Sequence, residues 1–284
     1  MKQLLGNLAR QPSAWVGGIL LLAVVGAALS ASFWFPGDPL EMVGAPYLAP
    51  GEDGDFPLGT DLMGRDLLAG LLHGAQMSLL VAGVAALMAL GIGIVMGALA
   101  GFYRGKVDAA LMRVTEFFQT IPAFLLAIIL VAVLQPSLAT LVFALGVTSW
   151  TGIARLTRGE FLVLREREFV RAAEALGASP LRLMVLEILP NALTPIIVST
   201  ALLVANAILS EAGLAFLGLG DPNHVSWGSM VAVGREALRT APYMTALPGA
   251  AIMLTVLALN LLGDALNTAL NPKLARQRGT ALSM

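Results

Sequence analysis

RLTRGEFLVLREREFVRAAEALGASPLRLMVLE, residues 155–187, is a charged island between two long apolar runs, and no other part of the chain is as polar for as long. It carries Arg155, Arg158, Arg165, Arg167, Arg171 and Arg182 together with Glu160, Glu166, Glu168, Glu174 and Glu187. Each of these side chains would cost several kcal/mol in a lipid core, so the island lies in water or against protein. It is also patterned. Phe169, Ala172, Ala173 and Leu176 recur at the spacing of one helical face. Gly177 supplies a C-terminal stop, and Ser179 and Pro180 restart the chain as N-cap and first helical residue. Leu181, Met184, Val185 and Ile188 then repeat the apolar spacing. The pattern predicts a helix–glycine–helix elbow with an apolar stripe, held outside a bilayer. Such a stripe needs a cover, either a partner's groove or the membrane surface, and periodicity alone leaves both open.

Around the island the chain is a membrane protein. Of its 284 residues 57% are hydrophobic and 12% charged, with a mean hydropathy of +0.82, which excludes a soluble domain. The absence of cysteine rules out disulfides, thiolate catalysis and cysteine-ligated metals. His73 and His224 are too far apart in sequence to suggest a metal site, and no nucleophile and base set points to an intramembrane enzyme. No G-x-x-x-x-G-K-[ST] loop is present, so the chain itself cannot cradle ATP phosphates. No nucleic-acid partner is expected.

Six transmembrane helices are expected in an all-α arrangement. The first, from Ala14 to Phe35, is long enough to cross a core of about 30 Å. With Trp15 and Trp34 at its ends, it reads as a retained helix and not a cleaved signal. The second runs from about Met77 to Phe102, with Gly93, Gly97 and Gly101 four apart, a spacing that lets another helix approach closely. The third covers Val107 to Leu134 and carries Pro122 as a kink. The fourth runs from Leu138 to about Ile153, the fifth from about Leu193 to Leu217, and the last from about Met244 to Leu266. The parts are residues 1–76 (first helix and exposed segment), a core of 77–270 containing the loop 155–190, and a tail of 271–284. Six crossings put 14 of the 17 Lys and Arg, all except Arg65, Arg235 and Arg239, on the island's side, which identifies that side and both termini as cytoplasmic. Residues 36–76, with Asp38, Glu41, Glu52, Asp53, Asp55, Asp61 and Asp66 against Arg65, belong outside.

Several blocks carry a family resemblance. RAAEALGASPLRLMVLEILPN, from Arg171 to Asn191, resembles the EAA loop of ABC-importer permeases, with Ala172, Ala173, Gly177, Leu189 and Pro190 in register. Arg171 stands where the general pattern has Glu and Glu187 where it has Ile, which suits the peptide and nickel branch. PLGTDLMGRD within Phe56–Leu79, VDAALMR after Gly101, EAGLAFLGLGDP from Glu211 and NLLGDALNTALNPKL from Asn260 are similar to further signatures of that branch. The chain therefore resembles the C-type permeases of dipeptide, oligopeptide and nickel ABC importers.

The resemblance implies the type I ABC importer transmembrane fold in a bacterial inner membrane. It also implies a second permease, two ABC ATPase subunits that hold ATP and Mg, and an extracytoplasmic substrate-binding protein. No cofactor is bound by the chain itself. The elbow residues Phe169, Arg171, Ala172, Ala173, Glu174, Leu176, Gly177, Ser179, Pro180 and Leu181 become the ATPase-coupling set, with Gly177 as its hinge contact. Thr60, Asp61, Arg65 and Asp66 form either a braced extracytoplasmic segment, in which Thr60 or Asp61 caps a short helix and Arg65 pairs with an acid, or a contact for the binding protein. Glu116, Glu211 and Asp264 are the polar residues of the membrane region, Glu211 being either functional or tied by a bond between helices. An autonomous ion-coupled carrier using those acids is the rival class. Peptide is preferred over nickel as cargo because both histidines fall outside the helices.

Overall fold

Asp66 begins a helix at Leu67, well before the point near Met77 where hydropathy alone places it, by accepting the Leu68 N–H at 2.8 Å. The fold is that of a computed structural model describing residues 11–270. Its helices are α1 (Pro12–Trp34), α2 (Leu67–Tyr103), α3 (Gly105–Thr120), α4 (Ala123–Leu134), α5 (Leu138–Leu164), α6 (Glu168–Ala175), α7 (Pro180–Leu219), α8 (Trp227–Gly234) and α9 (Tyr243–Leu270). The only β pairing among the described residues is a single antiparallel bridge between Thr60 and Asp66. Lys2, Arg10, Lys273, Arg276, Arg278 and the 271–284 tail lie outside the described residues.

Five helices, α1, α2, α5, α7 and α9, are each long and apolar enough to cross a membrane. Where a single kinked sixth span was expected, two separate helices, α3 and α4, meet at 80°. Pro122 forces the residue before it out of the helical region, and Ile121 is extended with ψ 127°. The 12 residues of α4 reach about 18 Å, short of a core of about 30 Å.

Two further boundaries differ from the sequence reading. α5 continues to Leu164 and carries Arg155, Arg158 and Glu160 on its last turns. The Arg158 guanidinium there clasps the Asp108 carboxylate of α3 at 2.5 and 2.6 Å, giving the helix a charged partner as it leaves the apolar region. α7 starts at the elbow and not near Leu193, running 40 residues with widened turns at Leu183–Ile188 and Ala215–Leu219. Pro190 has no N–H to give the preceding turn, and the first widened turn sits directly before it.

The glycines at four-residue spacing hold α2 against α5. A Cβ at Gly93 would lie 2.7 Å from the Ile153 Cβ, at Gly97 2.3 Å from the Ala154 carbonyl oxygen, and at Gly101 2.6 Å from the Phe161 Cβ. Any side chain at Gly97 would therefore collide with backbone, which a rotamer change cannot relieve.

The two ends of the bundle are unlike. At one end residues 36–66 and 221–242 form a canopy whose core is Leu67, Val225, Trp227, Met230, Ala237, Ala241 and Met244, with Leu40, Leu58 and Leu62 packed on it. At the other end sits the elbow.

Candidate functional site: the elbow and its anchorage

The elbow forms as its sequence predicts. α6 ends with the Leu176 N–H on the Ala172 carbonyl at 3.1 Å, and Gly177 turns the chain at φ +84°. Only a residue without Cβ adopts that angle at no cost. The Ser179 hydroxyl then accepts the Arg182 N–H, and Pro180 occupies the first turn of α7. Nothing of this chain lies within 4 Å of a Cβ built at Gly177, and its left-handed backbone sets the angle between α6 and α7.

The apolar residues divide between two surfaces. Val170, Leu183, Met184 and Ile188 are buried with Phe102, Phe161, Ala192 and Ile196 in one core cluster, which ties the elbow to α2, α5 and α7. Phe169, Ala172, Leu176, Leu181 and Val185 face outward, Leu176 being 89% and Leu181 66% exposed. The second stripe expected from sequence is thus split, with Met184 and Ile188 inward and Leu181 and Val185 outward. Widened turns in Leu183–Ile188 explain the split, because they rotate the side chains away from regular 3.6-residue spacing. Ala173 is half-buried, while Arg171, Glu174, Ser179 and Pro180 lie on the exposed rim.

Charges fix the elbow in place. Glu166 pairs with Arg104 at 2.6 Å and with Arg171, so one carboxylate joins the α2–α3 corner to α6. Arg171 and then Arg104 hold the Glu166 carboxyl below the usual glutamate range. Arg104 also donates to the Leu162 carbonyl at 3.2 Å, and the Arg165 guanidinium stacks 4.3 Å over the Phe102 ring. The result is an anchored knob of exposed apolar side chains rimmed by charge.

At the canopy end, PLGTDLMGRD builds a brace. Thr60 is fully buried, donating to the Ala45 carbonyl at 2.5 Å and accepting the Leu48 N–H at 3.0 Å. Asp61 caps no helix and instead accepts the Met63 and Arg65 N–H groups at 2.7 and 2.9 Å. The expected Arg65 ion pair is absent among the described residues: Asp61 meets the Arg65 backbone, and the buried Arg65 Nε has no hydrogen-bond partner there. Asp66 caps α2, and burial raises its carboxyl above the usual aspartate range against the pull of the Leu68 and Ala69 amides. Asp61, Arg65 and Asp66 line a pocket of about 160 Å³ with Asp221 and His224. Burial alone would raise Asp221; the Asn223 amide, His224 and the Leu138 amide overcome it and leave this carboxyl lowered.

The three membrane-region acids are not gathered into one site. Glu211 is 1% exposed and accepts from the Ser78 hydroxyl at 3.1 Å, a bond between α7 and α2. The same hydroxyl accepts the Trp227 N–H at 3.3 Å, so Glu211 fastens α8 and the canopy to the bundle. Glu116 is exposed on α3 beside Arg113, and Asp264 is exposed near the elbow end of α9. Among the described residues no group of three or more His, Asp or Glu could hold a metal ion.

Sequence reasoning did not find the anchorage. Arg104, Asp108, Glu166 and Val170 carry no periodic signal that separates them from neighbouring charges or from the outward stripe. Their partners lie 50 residues or more away for Asp108–Arg158 and Arg104–Leu162.

Comparison with known proteins places this geometry. Residues 93–276 match the family described as binding-protein-dependent transport system inner membrane component. The chain is 39% identical over 280 residues to the di/tripeptide transport system permease protein DppC of Pseudomonas aeruginosa, covering 96% of this chain and 92% of that one. It is 38% identical over 223 residues to the oligopeptide transport system permease protein OppC of Bacillus subtilis, covering 78% and 73%. It is 35% identical over 266 residues to the glutathione transport system permease protein GsiD of Pectobacterium atrosepticum, covering 93% and 88%. Among solved structures, an inward-facing MetNI methionine ABC transporter shares the fold, with a TM-score of 0.60 at 18% identity over 71% of this chain and 96% of that one.

Proposed function

The chain belongs to the family of binding-protein-dependent transport system inner membrane components, and on that premise we propose that it forms, with a second permease, the pathway of an ATP-driven importer of di- and oligopeptides. It is a multi-pass protein of the bacterial inner membrane and a permease of the ABC importer class. In the proposed complex the elbow faces the cytoplasm, as do both termini, and docks into two ABC ATPase subunits that hold ATP and Mg. The canopy faces an extracytoplasmic substrate-binding protein. The chain binds no cofactor and catalyses no reaction of its own.

The observation that carries this reading is the elbow. Leu176, Phe169 and Leu181 stand exposed on a knob that Val170, Leu183, Met184 and Ile188 root in the bundle. A knob anchored in this way transmits a push: closing the ATPase subunits would move α6 and, through the buried cluster, the ends of α2, α5 and α7 as one body. The surface of residues 36–66 stays fixed by the Thr60 and Asp61 bonds, which suits a platform for a delivered substrate.

Reconstitution in proteoliposomes tests the reading. Peptide uptake is expected only when both permeases, the ATPase subunits, the binding protein and ATP are all present. Uptake by this chain alone without ATP would overturn it in favour of an ion-coupled carrier. Stimulation of ATPase activity by nickel and not by peptide would overturn the choice of cargo.

A further inference from the structure

α5 and α7 leave a crevice of about 360 Å³ between them, within the range of about 300–1,000 Å³ that small-molecule sites occupy. It is lined by Ser149, Gly152, Ser199 and Asn206, closed by Ile153 and Leu156 and their leucine neighbours on α7. Its depth follows from helix geometry. Ser149 and Gly152 lie roughly 16 and 21 Å along α5 from Leu138, the middle of a helix of about 40 Å. Ser199 and Asn206 fall in the central turns of α7.

The Asn206 side chain is exposed, and its amide has no hydrogen-bond partner among the described residues. An amide turned to lipid without a partner costs several kcal/mol. Ser149 and Ser199 repeat the signal on the facing helices. This face is therefore wet or covered by a polar partner.

The crevice also leads somewhere. Leu156 lines it and lines a second, larger cavity of about 620 Å³ nearer the elbow end, walled by Thr115, Glu116, Gln119, Arg155 and Arg158. The two cavities adjoin at Leu156 and together reach from mid-helix towards the elbow side. The crevice itself holds no charged side chain. Hydroxyls and an amide can both give and accept hydrogen bonds, which matches the N–H and C=O groups of a peptide backbone and is indifferent to the charge of its side chains. A cation would instead call for carboxylates or imidazoles.

The geometry points to the Ser149, Ser199 and Asn206 crevice as the site where this chain touches the backbone of the peptide in transit. The inference rests on the peptide reading above.

The chain has no cysteine, so single cysteines report cleanly. S149C, S199C and N206C are placed in the complete complex in inside-out vesicles, with L22C as a control because Leu22 is 73% exposed at the middle of α1. Labelling of this chain by a membrane-impermeant methanethiosulfonate is followed by mass. All three crevice cysteines are expected to label at least tenfold faster than L22C, and millimolar dialanine is expected to slow S199C and N206C severalfold. Unreactive crevice cysteines, or labelling unchanged by dialanine, would overturn the inference. ATP-driven dialanine uptake by the unmodified complex is measured in parallel. If uptake is present and the cysteines are silent, only the crevice assignment falls; if uptake is absent, the peptide reading falls and takes the crevice with it.

Discussion

Leu176→Ala separates docking from folding. Leu176 is 89% exposed and touches none of the core clusters, so truncating it should change the stability of the chain by no more than about 0.5 kcal/mol. In the assembled importer the same side chain would be buried in the ATPase groove. Removing three carbons at about 0.8 kcal/mol each, scaled by that exposure, costs about 2 kcal/mol of association. At 1.4 kcal/mol per tenfold, the ATPase subunit should bind about 30-fold more weakly. The assay is titration of ATPase subunits onto the two permeases in nanodiscs, with thermal unfolding of the permease pair alongside. Val170→Ala gives the opposite pattern, since Val170 is 0% exposed: unfolding falls by about 2 kcal/mol because the loss is internal. An unchanged ATPase Kd for Leu176→Ala, with normal folding, would refute the docking argument. It would favour the alternative cover, the membrane surface.

Gly97→Leu should prevent α2 from seating on α5, because even its Cβ would lie 2.3 Å from the Ala154 carbonyl oxygen; loss of at least about 3 kcal/mol, or failure to assemble, is expected in thermal unfolding. Gly177→Ala meets open space but must hold φ +84°, so it should cost about 1–2 kcal/mol locally. Gly177→Asn should cost less, and hydrogen exchange across 168–182 reads the difference. Glu166 has a folded-state pKa depressed by Arg171 and Arg104, so its contribution is fully present above the ordinary glutamate value and is lost as pH falls through the depressed one. Exchange protection of α6, corrected for intrinsic rate, should decline over that acid window in the native chain and stay flat in Glu166→Gln.

Much of this architecture was legible because the signals are local. Gly177, Ser179 and Pro180 act through their own backbone chemistry, and Gly93, Gly97 and Gly101 mark a close packing line whatever helix fills it. What escaped were properties set by distant partners. The early start of α2 depends on Asp66 as a cap and on Phe35 accepting from His73 at 2.9 Å, so hydropathy placed the boundary too late and put His73, which stands on α2, outside the helices; that ground for preferring peptide over nickel falls. Pro122 announced a kink, but its size, 80°, depends on where α3 and α4 pack. The elbow's second stripe was read at regular helical spacing, and widened turns then turned Leu181 and Val185 outward. Charge alone pairs Arg65 with Asp61 or Asp66; in the folded segment Asp61 takes the Arg65 backbone amide instead. The crevice at Ser149, Ser199 and Asn206 could not be seen as a set, since scattered hydroxyls and one amide carry no pattern until two helices bring them together.

Photocrosslinking from Leu176 and Leu181 in native membranes tests the central claim most directly. A photoreactive residue at either position should join this chain to an ABC ATPase subunit. Adducts confined to lipid, with no ATPase captured from either position in transport-competent membranes, would contradict the account.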